Sequence, residues 1–146
     1  MYRTVSPETL KALAAIDSPS MCNAIEGFDI RLRNSGFMGP EIKCVFPDFS
    51  PVVGYAVTAT ISSVHPEGRS VPREEWWDMI SSVPEPRFIV IHDLDNPPLG
   101  ALWGEVNGNI HRALKAVGVA TDGTVRDLDE VRQLGFQFFA RSVAVS

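Results

Sequence analysis

The pattern of apolar and polar positions divides the chain into a helical opening, a β-rich middle and a second half in which strands and helices alternate. Ser6-Pro7 starts a helix with a hydroxyl cap and Pro in its first turn, and Leu10, Leu13 and Ala14 give it an apolar face as far as about Ile16. Ser18-Pro19 repeats the signal for a second helix through Met21, Ala24 and Ile25, which Gly27 ends. Residues 28–39 are polar and irregular, with turns at Asn34-Ser35-Gly36 and Gly39-Pro40, and read as a surface loop on which Arg31 and Arg33 are solvated. From Glu41 the period becomes two. Ile42–Phe46 and Val52–Val64 read as strands, and in the second Tyr55, Val57, Ala59 and Ile61 alternate with Ala56, Thr58, Thr60 and Ser62, as on a half-buried strand. Pro47 and Pro51 bracket the turn between them, and His65-Pro66-Glu67-Gly68-Arg69 makes an exposed loop. A helix from about Arg73 to Val83 follows, packed on the sheet through Trp76, Trp77, Met79 and Ile80 and stopped by Pro84 and Pro86.

Arg87–His92 is a continuous apolar run of the kind found in strands buried on both faces. The chain leaves it through Asp93-Leu94-Asp95-Asn96-Pro97-Pro98, where Asp93 and Asp95 read as turn residues. Gly100–Gly104 leads into a helix with Val106, Ile110, Ala113, Leu114 and Val117 on one side, ending near Gly118. Val119-Ala120-Thr121 is then a short strand, Asp122-Gly123 a tight turn, and Asp127-Leu128-Asp129-Glu130 a capping box before a helix that Gly135 ends. FQFFARSVAV is strand-like. Strands alternating with helices indicate an α/β fold, in which the loop before one helix and the turn after the next strand lie at one end of a sheet, where such folds bind small ligands.

Composition narrows the function classes. With 146 residues, 45% of them hydrophobic and 21% charged, the chain reads as a single globular domain over residues 1–146. Thirteen Lys and Arg against 18 Asp and Glu give a formal charge of -5 without any basic run, which argues against direct binding of nucleic acid. The start, MYRTVSPETLKALAAID, lacks a basic segment followed by a long apolar core, and no apolar run approaches the roughly 20 residues of a membrane span, so a cytoplasmic protein is expected. Cys22 and Cys44 read as buried reduced thiols. His65, His92 and His111 lie in different segments without ligand spacing, so no histidine metal site is expected.

The candidate chemistry is therefore in Glu105, Arg126 and Asp127. Glu105 opens a helix whose first N–H groups have no partner within it, so the loop Ala101-Leu102-Trp103-Gly104 can hold a carboxylate through main-chain donors, and Gly104 lets that backbone come close. Helix-dipole complementarity alone also accounts for an acid at Glu105, and capping alone for Asp127. A guanidinium beside a carboxylate, Arg126-Asp127, suits a site that handles an oxyanion next to a metal.

GALWGEV followed by KAVGVATDGTVRDLDEVRQLGFQFFA resembles the family that contains the regulator of ribonuclease E activity A and the 4-hydroxy-4-methyl-2-oxoglutarate aldolases, which also decarboxylate oxaloacetate. The likeness is strongest from about Asp93 to Ala140 and weaker from the first helices through VVGYAVTAT. It implies a swivelling β/β/α-type fold resembling phosphohistidine domains, a mixed sheet flanked by helices, and homotrimers or hexamers. It makes Asp127 the direct ligand of Mg2+ or another divalent cation such as Mn2+, with Glu105 acting through water. Arg126 would bind the keto oxygen and carboxylate of a small 2-oxo acid, and the backbone N–H groups of Gly104, Glu105, Val106 and Asn107 would hold the carboxylate. The implied activity is retro-aldol cleavage or decarboxylation to pyruvate; the alternative is a non-catalytic regulator that binds and inhibits an RNA-degrading enzyme. The family usually continues with a Pro-Gly-Asp and Asp-x-x-Gly-Val type segment, whereas this chain ends at Ser146, and Asn23 stands where many members have Asp.

Overall fold

A computed structural model describes residues 3–64 and 70–145. Along the chain run α1 (Pro7–Ala14), α2 (Ser18–Glu26), β1 (Lys43–Cys44), β2 (Tyr55–Ile61), α3 (Arg73–Ser82), β3 (Arg87–Asp93), α4 (Glu105–Ala113), β4 (Ala116–Val125), α5 (Leu128–Leu134) and β5 (Gln137–Val143). The His65–Arg69 loop expected from the sequence lies outside the described residues.

The strands form one mixed sheet in the order β1-β5-β4-β3-β2, with β1 antiparallel to β5 and the other neighbours parallel. Mixed α/β architecture follows. Period-two side chains put Val57, Ile89, Ile91, Val119, Phe138 and Ala140 on one face, where they pack with Ile80 of α3, Val131 of α5 and Trp103 to form the core. Thr58 and Thr60 on the other face are exposed, and Phe88, Val90 and Phe139 are half-buried there. The parallel register places the C-terminal ends of β2, β3 and β4 together, Ile61 opposite Asp93 and Ile91 opposite Thr121.

Several expectations are corrected. The strand expected over Ile42–Phe46 shortens to Lys43–Cys44, because Phe46 turns into the core, where its ring lies 5.1 Å from that of Phe49 and 6.0 Å from that of Phe138. Cys22 and Cys44 are exposed free thiols rather than buried ones, since α2 buries no residue and β1 is an edge strand. Asp17, not Ser18, caps α2, accepting a hydrogen bond from Ser20 N at 2.7 Å.

Asp122-Gly123 is not a turn. Both residues belong to the ten-residue β4, with a register irregularity against β5 between Thr121 and Thr124. Cross-strand partners satisfy the polar side chain that suggested a turn: Asp122 Oδ1 accepts from Asp93 N at 2.7 Å, and Asp122 Oδ2 meets His92 Nδ1 at 2.5 Å. A side chain at Gly123 would lie 2.7 Å from Asp93 Oδ2, so the close approach of β3 requires glycine.

The face expected for α4 is also corrected. Val106 is 68% exposed, and the helix buries Gly108 and His111 instead. Gly108 admits Leu134 of α5, whose Cδ1 would stand 3.3 Å from an added Cβ. The helix stops at Ala113 rather than near Gly118, because Lys115 at φ 60° turns the chain into β4.

Candidate functional site

The segment before α4 docks beside the end of β4. Trp103 bridges Val125 in the parallel sense, Trp103 O accepts from Arg126 N at 2.8 Å, and Thr124 Oγ1 donates to Gly100 O at 2.9 Å. Trp103 is 1% exposed and lies on an aromatic group with Phe136 and Phe138, at ring separations of 6.2 and 6.4 Å. This anchored segment carries Gly104 and Glu105 to Arg126 and Asp127, so the sequence-expected residues come together at one sheet end. A Cβ on Gly104 would overlap Asp127 Oδ2 and stand 2.8 Å from Arg126 Cγ and 3.0 Å from Asp127 Cγ. The glycine is needed for space, since its φ of -157° is open to any residue.

Asp127 occupies the cap position of α5 without capping it. Its backbone is left-handed (φ 54°, ψ 47°), and its side chain makes no capping bond to α5. Asp127 Oδ2 instead accepts from Glu105 N at 3.0 Å, so it caps the N-terminus of α4, twenty-two residues earlier in the chain. The expected capping box is thereby corrected. A left-handed conformation at a non-glycine residue is unfavourable by about 1 kcal/mol or more, and it is found here at the residue that carries the candidate chemistry.

Arg126 Nε lies 3.7 Å from Asp127 Oδ2, and the two side chains are 38% and 39% exposed. A guanidinium, a carboxylate and the positive end of α4 thus share one solvent-accessible place. The Glu105 N–H is committed to Asp127, while those of Val106 and Asn107 lie in the first turn, where the helix supplies no acceptor. The Glu105 side chain is exposed at the same helix start. Among the described residues, no three His, Cys, Asp or Glu side chains are grouped to hold a metal unaided. Any divalent ion here would take much of its shell from water or substrate, as magnesium does.

Sequence reasoning missed the supports of this loop. Asn107 Nδ2 donates to Leu102 O at 2.5 Å, and His111, 3% exposed, has Nδ1 at 2.7 Å from Asn107 O and Nε2 at 3.0 Å from Trp76 Nε1. The indole N–H can only donate, so His111 Nε2 accepts and Nδ1–H donates to the carbonyl. Burial pushes the His111 pKa below its ordinary value, and its hydrogen bond to Asn107 opposes that shift. One signal for this arrangement was present in the sequence: a histidine four residues after an asparagine, in a helix preceded by one tryptophan and downstream of a tryptophan pair.

Asp93 and Asp95 serve the neighbouring turn, as expected. Asp95 accepts from Ser62 Oγ and Ser63 N, both at 2.6 Å, and Asp93 Oδ1 accepts from Asp95 N at 3.0 Å. Burial, with Asp95 and Asp122 nearby, raises the pKa of Asp93, and its Oδ2 is buried without a hydrogen-bond partner. A surface cleft of about 430 Å³ is lined by Glu85, Arg112, Lys115 and Gly135 at the opposite end of β4 and is separate from this site.

The sequence pattern of the RraA-like family, described as Aldolase/RraA, matches residues 18–146. The chain belongs to the RraA-like family. No curated protein matches it by sequence. Solved structures that share the fold of this RraA-like chain include the following three. A structure described among novel cellulases from microbes of the gut ecosystem has a TM-score of 0.78 at 20% identity, over 100% of this chain and 63% of its own. An uncharacterized protein from Pseudomonas syringae pv. tomato has a TM-score of 0.71 at 20% identity, over 99% and 62%. RraAS2 from Streptomyces coelicolor, described as an unusual member of the RNase ES inhibitor RraA family, has a TM-score of 0.69 at 18% identity, over 97% and 66%. The chain thus spans under two thirds of the length of these structures.

Proposed function

We propose that this RraA-like chain is a divalent-metal-dependent lyase that releases pyruvate from a small 2-oxo acid, by decarboxylation of oxaloacetate or retro-aldol cleavage of a substrate like 4-hydroxy-4-methyl-2-oxoglutarate. The observation that carries the reading is the convergence of Arg126, Asp127 and the α4 N-terminus across a glycine that leaves no room for a side chain. Helix capping does not require the adjoining guanidinium, whereas binding an anionic keto acid does.

The donor set fits Mg2+ or Mn2+. Asp127 would hold the ion directly and Glu105 through water, both with the hard carboxylate oxygens these ions prefer. When bound, the ion would supply Lewis-acid polarisation of the keto oxygen. The first-turn N–H groups of α4 bind the substrate carboxylate, and the dipole of that helix favours its negative charge. Arg126 donates to the keto oxygen and carboxylate in a fixed fork. In oxaloacetate the bond to the distal carboxylate breaks, carbon dioxide leaves, and the electron pair becomes the enolate of pyruvate, which takes a proton from water. In the retro-aldol reaction the C4 hydroxyl gives its proton to water, the C3–C4 bond breaks, and C4 leaves as the keto carbon of one pyruvate. The electron pair on C3 becomes the enolate of the second, which takes a proton from water. Arg126 faces the oxygen on which this charge grows, so its contribution is larger in the transition state than in the ground state.

Assembly as a homotrimer or hexamer, a swivelling phosphohistidine-like fold and a cytoplasmic location belong to the same proposal. The competing reading, a regulator that inhibits an RNA-degrading enzyme by surface contact, draws support from the description of the Streptomyces coelicolor neighbour. Pyruvate formation from oxaloacetate, followed with and without magnesium in the wild type and in Asp127→Ala, separates the two. The lyase reading expects magnesium-dependent turnover that the substitution abolishes; equal rates in all four samples overturn it.

A further inference from the structure

We infer that His111 is a positioning residue for the site: a neutral imidazole wedged between two tryptophans holds the first turn of α4 in the shape that receives a carboxylate. The inference rests on reading that turn as the carboxylate cradle. Three contacts carry it. Nδ1–H donates to the carbonyl of Asn107 at 2.7 Å, Nε2 accepts from Trp76 Nε1 at 3.0 Å, and the ring lies 4.5 Å from that of Trp103. Asn107 in turn reaches back through Nδ2 to Leu102 O at 2.5 Å. A continuous set of contacts therefore runs from α3 through His111 to both sides of Gly104, the residue whose backbone faces Asp127 and Arg126.

The polarity of the chain of contacts is fixed. Trp76 can only donate and the Asn107 carbonyl can only accept, so one tautomer satisfies both, and neither lysine nor a protonated histidine can take its place. His111 is 3% exposed, which makes it a support acting through Asn107 rather than a group that touches substrate. The histidine also sits at a buried position on α4 where an apolar residue would be the ordinary choice for packing against Trp103.

Two substitutions divide the contacts. An asparagine amide reaches the place of Nδ1 and a glutamine amide that of Nε2, so His111→Asn keeps the bond to Asn107 and His111→Gln keeps the bond to Trp76. His111→Phe retains ring bulk and loses both. The experiment measures amide hydrogen exchange at Glu105 and Gly108, which donate to Asp127 Oδ2 and Gly104 O, in the wild type and the three variants, with oxaloacetate turnover on the same samples. The expected result is exchange faster by about tenfold at these two amides in His111→Phe, with His111→Asn restored close to the wild type. KM for oxaloacetate rises by a similar factor in His111→Phe while kcat changes less. Unchanged exchange at Glu105 and Gly108, or an increase spread evenly over α4 and α5, overturns the inference. The exchange result stands independently of turnover: amides loosened in His111→Phe, together with a wild type that never makes pyruvate, would sink the lyase reading and leave the positioning role in place.

Discussion

Gly104→Ala is the substitution whose effect the geometry specifies most closely. The backbone at Gly104 is extended, so alanine meets no conformational penalty there, and the consequence falls on the facing side chains. The new methyl would overlap Asp127 Oδ2 and sit 2.8 Å from Arg126 Cγ, where ordinary contact begins at 3.4 Å. Both side chains must move by at least several tenths of an ångström. Loss of the charge-assisted bond from Glu105 N to Asp127 destabilises by about 1.5–3 kcal/mol. Replacing glycine in the unfolded chain offsets about 0.4–1 kcal/mol of that, which leaves a net loss of about 0.5–2.5 kcal/mol. Misplacement of reacting groups on the scale of 1 Å lowers rates about a hundredfold. Oxaloacetate decarboxylation, with urea unfolding of the same preparation, should therefore show a large fall in kcat/KM beside a modest loss of stability. Wild-type kcat/KM in a stably folded Gly104→Ala would refute the placement of the site.

Other residues offer further tests. Asp127→Asn keeps an oxygen for the Glu105 N–H but loses the charge, so unfolding should shift by less than about 1 kcal/mol while magnesium-dependent turnover disappears. Phe138→Ala removes a 0%-exposed ring from the aromatic core and should cost about 3–5 kcal/mol in urea unfolding, with little direct effect on KM among molecules that stay folded. Asp93 has a raised pKa in the fold, so its charged form opposes folding: stability is fully present below the ordinary 3.8 and declines as pH rises through the higher native value. Asp93→Asn should accordingly raise stability by about 1 kcal/mol at pH 7 and bring no gain at pH 3. His111 has a lowered pKa, so the unfolded chain takes up a proton first; stability is complete above 6.5 and falls as pH drops from there toward the native value. The pH profile of unfolding between 7 and 5 should lose part of its slope in His111→Asn.

The parallel strands and the partners of the site were legible in the sequence because their signals are local. Tyr55–Ile61 alternates, Arg87–Asp93 is apolar, and Gly135 ends α5 in the left-handed conformation that glycine favours. What was misread depended on contacts distant in the chain. Asp122-Gly123 has the composition of a turn, yet its carboxylate is satisfied by β3, and its glycine makes room for Asp93. Asp127 lies in a capping sequence, but its left-handed backbone directs the carboxylate to a helix that begins twenty-two residues earlier. Apolar counting chose the Val106 side of α4 because it treats histidine as polar, whereas His111 is buried with both ring nitrogens satisfied. Cys22 looked like a core residue because its helix has an apolar stripe, and α2 buries none of it.

The central claim, that Asp127 and Arg126 hold one divalent ion and one 2-oxo acid side by side, is tested most directly by nuclear relaxation. Manganese replaces magnesium, and the relaxation of the carboxylate and keto carbons of labelled pyruvate is followed on adding the wild type, Asp127→Asn or Arg126→Ala. The account predicts strong paramagnetic relaxation of both carbons with the wild type and its loss with either variant. Equal relaxation with all three proteins, or none with the wild type, would contradict it.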